Sequence, residues 1–235
     1  MANEINVYVG GTAGNTTTWK LDGNWSAGHE PADGTTENAI VAKDTAYGIT
    51  GVDDDAYELG SLTVEQGYGS GIGTRAVPLM LQTQTVRLLG GSYVYLTITH
   101  ASDTTFYVAN CSNVNLIDAC KVTNFNQASG TCRIPASAVT VAIVSGGRLI
   151  YGDPGKGAVA ITTLTINDTG TVEYNSNQTI TTLNLRKGTL DLSKDSRAVT
   201  VTTLNLWPGG KILDPAKRLT VTTLAPQAGG TLSLS

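Results

Sequence analysis

The sequence predicts an all-β protein, a single-chain parallel β-helix whose coils stack on one another. The first observation is a four-residue unit, Ile/Val-Thr-Thr-Leu, that recurs at spacings of 19, 21 and 20 residues. The second is a strand-like segment that follows each unit after a turn. The third is composition: 35 threonines and 27 glycines with no long helical pattern. A period of about 20 residues in β-branched, turn-rich sequence is typical of a solenoid. The units begin at Ile161, Ile180, Val201 and Val221, and the second segments follow Gly170, Gly188, Gly210 and Gly230.

Alternation along the repeat predicts which side chains face the interior. In the segment from Val201 to Leu206, a period of two places Thr202, Leu204 and Leu206 on one face. The leucine face is the natural interior, so equivalent residues of successive coils should form ladders. The expected ladders are Leu164/Leu183/Leu204/Leu224, Ile166/Leu185/Leu206 and Val172/Leu190/Ile212/Leu232, while Glu173, Asp191 and Ser233 are expected to face water.

The same alternation leaves the first residue of each unit outside. This column consists of Ile161, Ile180, Val201 and Val221. Either it lies at a corner and turns inward, or it is an apolar stripe covered by another chain. The second interpretation makes the four residues candidates for a trimer interface.

Residues 1–41 differ from the rest in composition and are predicted to form a turn-rich N-terminal cap or docking segment, with the β-helix over residues 42–235. Here Trp19 is followed by Asn24-Trp25-Ser26-Ala27-Gly28 and by Pro31. The pattern resembles the Trp…Asn-Trp-Ser-x-Gly-x-x-Pro opening of many β-helical repeat proteins, including bacteriophage virion proteins and bacterial autotransporter-type passengers. The resemblance covers residues 17–41 and implies a solenoid start rather than one function. Trp19 and Trp25 either plug the first coil or contact a partner.

Between residues 57 and 144 the strand-like segments are shorter and fit the period less well. The glycine-rich run Gly67–Gly73 is predicted to be a protruding loop. With about 20 residues per turn and ~4.8 Å per step, nine or ten coils give a rod on the order of 45 Å long. Such a rod is short for a fibre. We expect the helix to be right-handed, because connections between parallel strands overwhelmingly take that hand.

Composition excludes several classes of function. Charged residues make up 14% and the net charge is −4, so no basic surface for nucleic acid or anionic membrane is indicated. No apolar run approaches the ~18 residues that cross a bilayer. The first residues lack the pattern of a signal peptide, which predicts synthesis in a host cytoplasm. The three cysteines argue against a disulfide framework, and Cys111 and Cys132, one coil apart, are expected to stack inside.

The sequence offers little chemistry, and we expect no enzymatic activity, no cofactor and no metal. The run from Gly152 to Gly157 lacks the spacing of a phosphate loop and is predicted to be a turn. Glu173 and Asp191 occupy equivalent positions of successive coils, about 5 Å apart, a spacing that suits a retaining glycosidase. Solvated ladder residues are the preferred interpretation. The run Asp53-Asp54-Asp55 is predicted to be a solvated turn, with a weak Ca²⁺ site as the alternative.

These observations favour a structural virion protein: a trimeric β-helical capsid decoration, or cement, protein of a tailed bacteriophage. Such a protein would lie on the capsid surface and bind the major capsid protein of the same virion. Trp19 and Trp25 would be the candidate contacts with that partner. The alternative is a tailspike or tail-fibre module that binds or cleaves host polysaccharide. A secreted adhesin is less favoured because it needs a signal peptide.

Overall fold

The structure, a computed structural model, describes residues 4–10, 19–20, 22–31, 37–50, 53–99, 104–117, 120, 122–156 and 159–230. In these residues every regular element is a β-strand except for one 3-10 turn, Asp22–Asn24. The strands form parallel sheets in the stacked coils of a β-solenoid of about nine turns, as predicted. The described residues contain no helix long and apolar enough to span a membrane. The chain divides into two compact units, Met1–Lys121 and Val122–Ser235.

The first unit contains nine strands, and each complete coil gives one strand to each of two parallel sheets. The strands are β1 (Glu4–Tyr8), β2 (Glu37–Val41), β3 (Asp53–Leu59), β4 (Ser61–Val64), β5 (Leu79–Thr83), β6 (Thr85–Leu88), β7 (Tyr93–Ile98), β8 (Thr105–Val108) and β9 (Asn113–Leu116). One sheet has the order β1-β2-β4-β6-β8 and the other has β3, β5, β7 and β9 side by side. The segment predicted to be a cap therefore contributes the first two strands of a sheet.

The second unit contains the regular repeat and eleven strands. They are β10 (Val122–Gln127), β11 (Thr131–Ile134), β12 (Val139–Val144), β13 (Arg148–Tyr151), β14 (Ile161–Ile166), β15 (Thr171–Tyr174), β16 (Ile180–Leu185), β17 (Thr189–Asp191), β18 (Val199–Leu206), β19 (Lys211–Leu213) and β20 (Leu219–Pro226). The even-numbered strands form one parallel sheet and the odd-numbered strands the other.

The predicted interior ladders of the second unit are confirmed. Leu164 is in register with Leu183, Leu183 with Leu204, and Leu204 with Leu224. The first three leucines are fully buried, whereas Leu224, on the outermost strand β20, is 43% exposed. The ladders Ile166/Leu185/Leu206 and Val172/Leu190/Ile212 are also in register, and Leu232 lies outside the described residues.

The column Ile161, Ile180 and Val201 is fully buried, so its assignment to a trimer interface is wrong and these residues turn inward. Strands β12, β14 and β16 share one burial pattern, in which the first residue is buried and the next two are not. Two consecutive outward residues break strict alternation, and β18 shows the same break within the strand, after Val201. Thr202, predicted inside, is accordingly part-exposed, and Val221 on β20 is half-buried.

The glycines before the second strands are required by the close approach of successive coils. A Cβ atom at Gly188 would lie 2.3 Å from the carbonyl oxygen of Gly170, and one at Gly170 would lie 2.4 Å from that of Val144. The approach lets the amide of Thr189 donate to the Gly170 oxygen at 2.9 Å. The backbone of these glycines is not left-handed. A side chain is excluded by the neighbouring coil and not by φ.

The first coil is closed by aromatic side chains. Trp19 and Trp25 meet edge to face with ring centroids 4.7 Å apart, and Tyr8 meets Trp25 at 5.1 Å. The Trp25 indole donates to the carbonyl of Trp19 at 2.7 Å, and all three rings are buried. The far edge of β1 is covered as well, because Ser26 donates its amide to Val7.

Other local predictions for the first unit are corrected by the structure. The run Gly67–Gly73 does not simply protrude, because Ile72 is fully buried and bridges Ile49 and Val94 of the adjacent coils. Asp53-Asp54-Asp55 belongs to strand β3, paired with β5, and is not a turn; its side chains lie outside the described residues.

The cysteines are buried and free, but Cys111 and Cys132 do not occupy equivalent places. Cys111 lies in the turn before β9, whereas Cys132 lies within β11. The predicted stacking of these two thiols is therefore wrong. Both side chains are small and apolar, and each fills the interior of its own coil.

Candidate functional site: a pocket beside Trp207

Three turns of the second unit place their first residues in one column on the surface. Asn167, Arg186 and Trp207 each follow the last residue of a repeated strand, β14, β16 and β18 respectively. Their backbone amides donate to carbonyls of the preceding coil: Asn167 to Val144, Arg186 to Ile166 and Trp207 to Leu185, each at 2.9 Å. The coil repeat therefore fixes the spacing of three chemically different side chains.

These turns line an open pocket of about 480 Å³. This volume is within the range of small-molecule sites. The lining residues are Asn167, Asp168, Arg186, Lys187, Trp207 and Pro208. With two cationic side chains and one carboxylate, the lining has a net charge of about +1 at neutral pH.

Arg186 and Trp207, which both line the pocket, form a cation–π pair. The Arg186 guanidinium carbon lies 5.1 Å from the centroid of the half-buried indole ring. Such a pair holds the long arginine side chain while leaving its N–H groups available for hydrogen bonding. Neither Arg186 nor Lys187 has an ion pair within the described part of the chain.

Asn167 and Asp168 also line the pocket, and Asp168 supplies an accessible hydrogen-bond acceptor. The Asn167 amide nitrogen donates to the hydroxyl of Ser145 at 3.3 Å, while its Oδ1, shielded from solvent, has no partner. Asp168 is exposed and sits in the left-handed region with φ of 45°. Its backbone conformation belongs to the tight turn that leads to Gly170.

The other arginines of the second unit are all paired with carboxylates. Arg133 pairs with Asp153 at 2.5 Å, Arg148 with Glu173, and Arg197 with Asp195 at 2.6 Å, while Arg218 lies 3.8 Å from Asp195. Arg186 is therefore the one arginine of this unit, in which all five are described, that contacts an aromatic ring and no carboxylate. The contrast singles it out as a cation available to a ligand.

The paired arginines fasten successive coils to one another. Arg197 donates to the carbonyls of Lys156 and Asn175, and Arg218 donates to those of Arg197 and Tyr174. The hydrogen-bonded Arg197 guanidinium holds the pKa of the Asp195 carboxyl well below its ordinary value. We refer to Asp195, Arg197, Asp214 and Arg218 as the corner network; Asp214 accepts from the amides of Arg218 and Leu219.

The predicted Glu173–Asp191 pair is only partly as expected. The two residues are neighbours in register, but Glu173 is buried, bound by Arg148 and by the Asn175 amide at 2.8 Å, so its predicted exposure to water is wrong. The side chain of Asp191 accepts the amide of Ser193 at 2.8 Å. A carboxylate held in this way is a structural group of the coil. Ser233 lies outside the described residues.

The two tryptophans predicted to contact a partner are buried, Trp19 completely and Trp25 to all but 3%. They present almost no surface, and they plug the first coil.

The run Gly152–Gly157 forms the predicted turn over its described residues. Gly152 and Gly155 have positive φ, and Asp153 forms ion pairs with Arg133 and Lys156. In the described part of the chain no group of three or more His, Cys, Asp or Glu side chains is placed to hold a metal ion.

Sequence reasoning did not find the pocket. Its signal was present in the repeat: the positions after Ile166, Leu185 and Leu206 hold Asn, Arg and Trp, which share no hydrophobic or turn-forming role. Equivalent positions of a solenoid that differ in chemistry but stack in space are candidates for a shared site.

Comparison with known proteins adds no relative to this picture. No protein-family model matches the chain. No curated protein and no solved structure matches it significantly.

Proposed function

We propose that the protein is a structural virion protein, a trimeric β-helical capsid decoration protein of a tailed bacteriophage that stabilises the shell. The N-terminal resemblance, the low charge and the parallel β-solenoid support this proposal. A solenoid is compatible with many functions, so the surface that is suited to docking has to distinguish among them.

The observation that carries the proposal is an apolar outer face formed by β1 and by Val9, the residue that follows this strand. Ile5 is 60% exposed and Val9 is 48% exposed, and they flank the part-exposed Val7. Val7 is in register with Ile40 of β2, which is also part-exposed, so the apolar surface extends onto a second strand. Contiguous exposed apolar residues mark interaction surfaces. The docking contacts proposed for the N-terminal segment therefore move from the buried tryptophans to these side chains.

A trimer would use the exposed apolar side chain on β20, the outermost strand that the structure describes in this sheet. Leu224 is 43% exposed there, although its equivalents Leu183 and Leu204 are fully buried in the interior column. We propose that identical chains associate through this side chain in a closed threefold arrangement.

The proposed action is mechanical. A protein that binds only the assembled shell stabilises it by mass action, since separation of the coat subunits requires loss of the bound chains. The interior ladders and the corner network fasten each coil to the next, which suits a rigid element. No covalent chemistry is needed.

The experiment measures binding of the purified protein to undecorated capsids by co-sedimentation, together with its mass in solution. We expect a trimer that binds and raises the temperature of genome release. The double variant Ile5→Ser/Val9→Ser should bind at least about tenfold more weakly, because two exposed apolar contacts are lost. Val77→Ser, at a 50% exposed valine outside the N-terminal segment, is the matched control. Lack of binding by the unaltered protein would overturn the proposal.

A second function, recognition of surface polysaccharide, is favoured by the pocket beside Trp207. An indole next to amide, carboxylate and guanidinium groups offers both an apolar platform and hydrogen-bonding groups, the combination that binds sugars. Hydrolysis is not proposed, because a glycosidase uses two carboxylates and the pocket lining contains Asp168 alone. Release of oligosaccharide from host polysaccharide would contradict this assignment and favour a tailspike.

A further inference from the structure

We infer that the pocket beside Trp207 binds an acidic sugar, a saccharide unit that carries a carboxylate. The inference rests on the second proposed function, saccharide binding, and specifies the class of ligand. It is argued from the three kinds of group that line the pocket.

The cationic groups suit an anion. Arg186 is held over the Trp207 ring, with its guanidinium carbon 5.1 Å from the ring centroid, and it is the arginine of the second unit that has no carboxylate partner. Lys187 lines the same pocket. The planar fork of a guanidinium matches the two oxygens of a carboxylate, and such charge-assisted hydrogen bonds are about twice as strong as neutral ones.

The carboxylate of Asp168 suits hydroxyl donors. Asp168 is exposed and lines the pocket, so it can accept hydrogen bonds from a ligand, and its charge repels a simple anion. A phosphate or sulfate ion would therefore pair with Arg186 and Lys187 but would be repelled by Asp168.

The third requirement is apolar surface. Trp207 and Pro208 line the pocket beside the charged groups. The C–H face of a pyranose ring packs on such a surface while its hydroxyls remain free to donate. A sugar acid provides all three features in one unit: a carboxylate, hydroxyl donors and an apolar ring face.

A peptide fits less well. Peptides are usually recognised by added strands or by grooves that accept a main chain. At this pocket the amides of Asn167, Arg186 and Trp207 are already bonded to the preceding coil. They cannot form a ladder with an incoming backbone, so an acidic peptide lacks its main source of affinity.

The experiment titrates the full-length protein with trigalacturonate and follows tryptophan fluorescence and heat. Trp207 is the natural reporter, because the other two of the three tryptophans are buried in the first unit. Comparison probes are a neutral galactose trisaccharide, inorganic phosphate and a triglutamate peptide. We expect trigalacturonate to bind at least about tenfold more tightly than each of them, because it alone satisfies all three kinds of group.

Variants assign the binding to the pocket. Arg186→Gln should remove most of the preference for the acidic over the neutral sugar, whereas Trp207→Ala should weaken both. Lys211→Gln, at an exposed lysine of the same unit that does not line the pocket, should change neither.

The possible failures are distinguishable. Equal binding of acidic and neutral trisaccharides would overturn the ligand class but leave saccharide binding in place. Binding of none of the saccharides would overturn both. Equal or tighter binding of phosphate or triglutamate would show an anion or peptide site and would also overturn the inference. Binding to capsids is measured separately, by co-sedimentation with the Ile5→Ser/Val9→Ser variant.

Discussion

Arg218 donates a hydrogen bond from Nη2 to the carbonyl oxygen of Tyr174 at 2.7 Å, across 44 residues of sequence and two coils of the solenoid. The side chain of Arg218 is only 2% exposed, and its other contacts are with Arg197 and Asp195 on the coil between. One arginine thus joins three consecutive coils at the corner that follows β15, β17 and β19.

Replacement of Arg218 should be strongly destabilising. Arg218→Met leaves the carbonyls of Arg197 and Tyr174 without their side-chain donor and removes one of the two arginines beside the buried Asp195 carboxylate. A buried polar group left without a partner costs about 1–3 kcal/mol, so the two carbonyls alone should cost at least about 2 kcal/mol. The free energy of unfolding from urea denaturation measures the effect. Arg133→Met is the control: Arg133 is 44% exposed in its ion pair with Asp153, and the expected loss is below about 1 kcal/mol. Equal losses in the two variants would contradict the role of the corner network.

Asp195 should make stability depend on acid. Its pKa is lowered by the hydrogen bond from Arg197, so its contribution is complete above the unfolded pKa of about 3.9 and is lost as the pH falls toward the folded value. Asp195→Asn should therefore be less stable than the unaltered protein at about pH 7, and the difference should shrink below about pH 4. Urea denaturation over a pH series tests this. A difference that does not vary with pH would show that the ionised carboxylate is not the stabilising species.

Gly188→Ala should destabilise the second unit by about 1–3 kcal/mol, because the new methyl group is forced against a neighbouring coil. Its Cβ would lie 2.3 Å from the Gly170 oxygen and 2.4 Å from Cγ2 of Ile166. Gly69→Ala is the matched control: nothing lies within 4 Å of its added Cβ and its φ is not positive. That variant should be neutral or slightly more stable. Thermal denaturation of both proteins distinguishes close approach from a general intolerance of alanine.

The leucine ladder should show a graded response to truncation. Leu183→Ala creates a cavity between two buried neighbours and should cost about 2–5 kcal/mol. Leu224→Ala, at the 43% exposed end of the same ladder, should cost much less in the isolated chain. The same variant should shift the mass in solution toward the monomer, if the apolar end is covered by identical chains. A large loss of monomer stability in Leu224→Ala would contradict the exposure of this residue.

The thiols should be unreactive until the protein unfolds. All three cysteines are buried, and burial raises the pKa of Cys111 to about 12, so almost no thiolate is present at neutral pH. A disulfide-exchange reagent should label the folded protein slowly and release three equivalents after addition of denaturant. Rapid labelling of the folded protein would show that a coil opens locally.

The repeat in the last third of the chain was sufficient to predict the stacking of the coils and the leucine ladders. Leu164 and its equivalents could be assigned to the interior because one face of each strand must pack away from water. The β-branched residues then occupy the opposite face. The burial of Ile161 could not be decided in this way. The two threonines after it suit either face of a pleat, and only the observed break in alternation, with both threonines outward, directs the isoleucine inward.

Long-range polar contacts were beyond sequence reasoning for a different reason. Arg218 and Tyr174 share no pattern, and their contact depends on the path of the corner loops. Glu173 was expected in water because it alternates with Val172, yet Arg148 on the previous coil covers it. The pocket beside Trp207 has the same origin, since it appears only when three unlike turns are superimposed.

The close contacts at Gly170 and Gly188 have a consequence for how such a chain can change its length. The bond from each coil to the next uses a backbone carbonyl and a backbone amide, groups that every coil offers irrespective of its side chains. Duplication or deletion of one whole repeat would preserve this joint, and the turns absorb smaller differences in length, since Gly170, Gly188, Gly210 and Gly230 lie 18, 22 and 20 residues apart. The molecule can therefore be lengthened or shortened in steps of one turn, with a new set of surface side chains at each step.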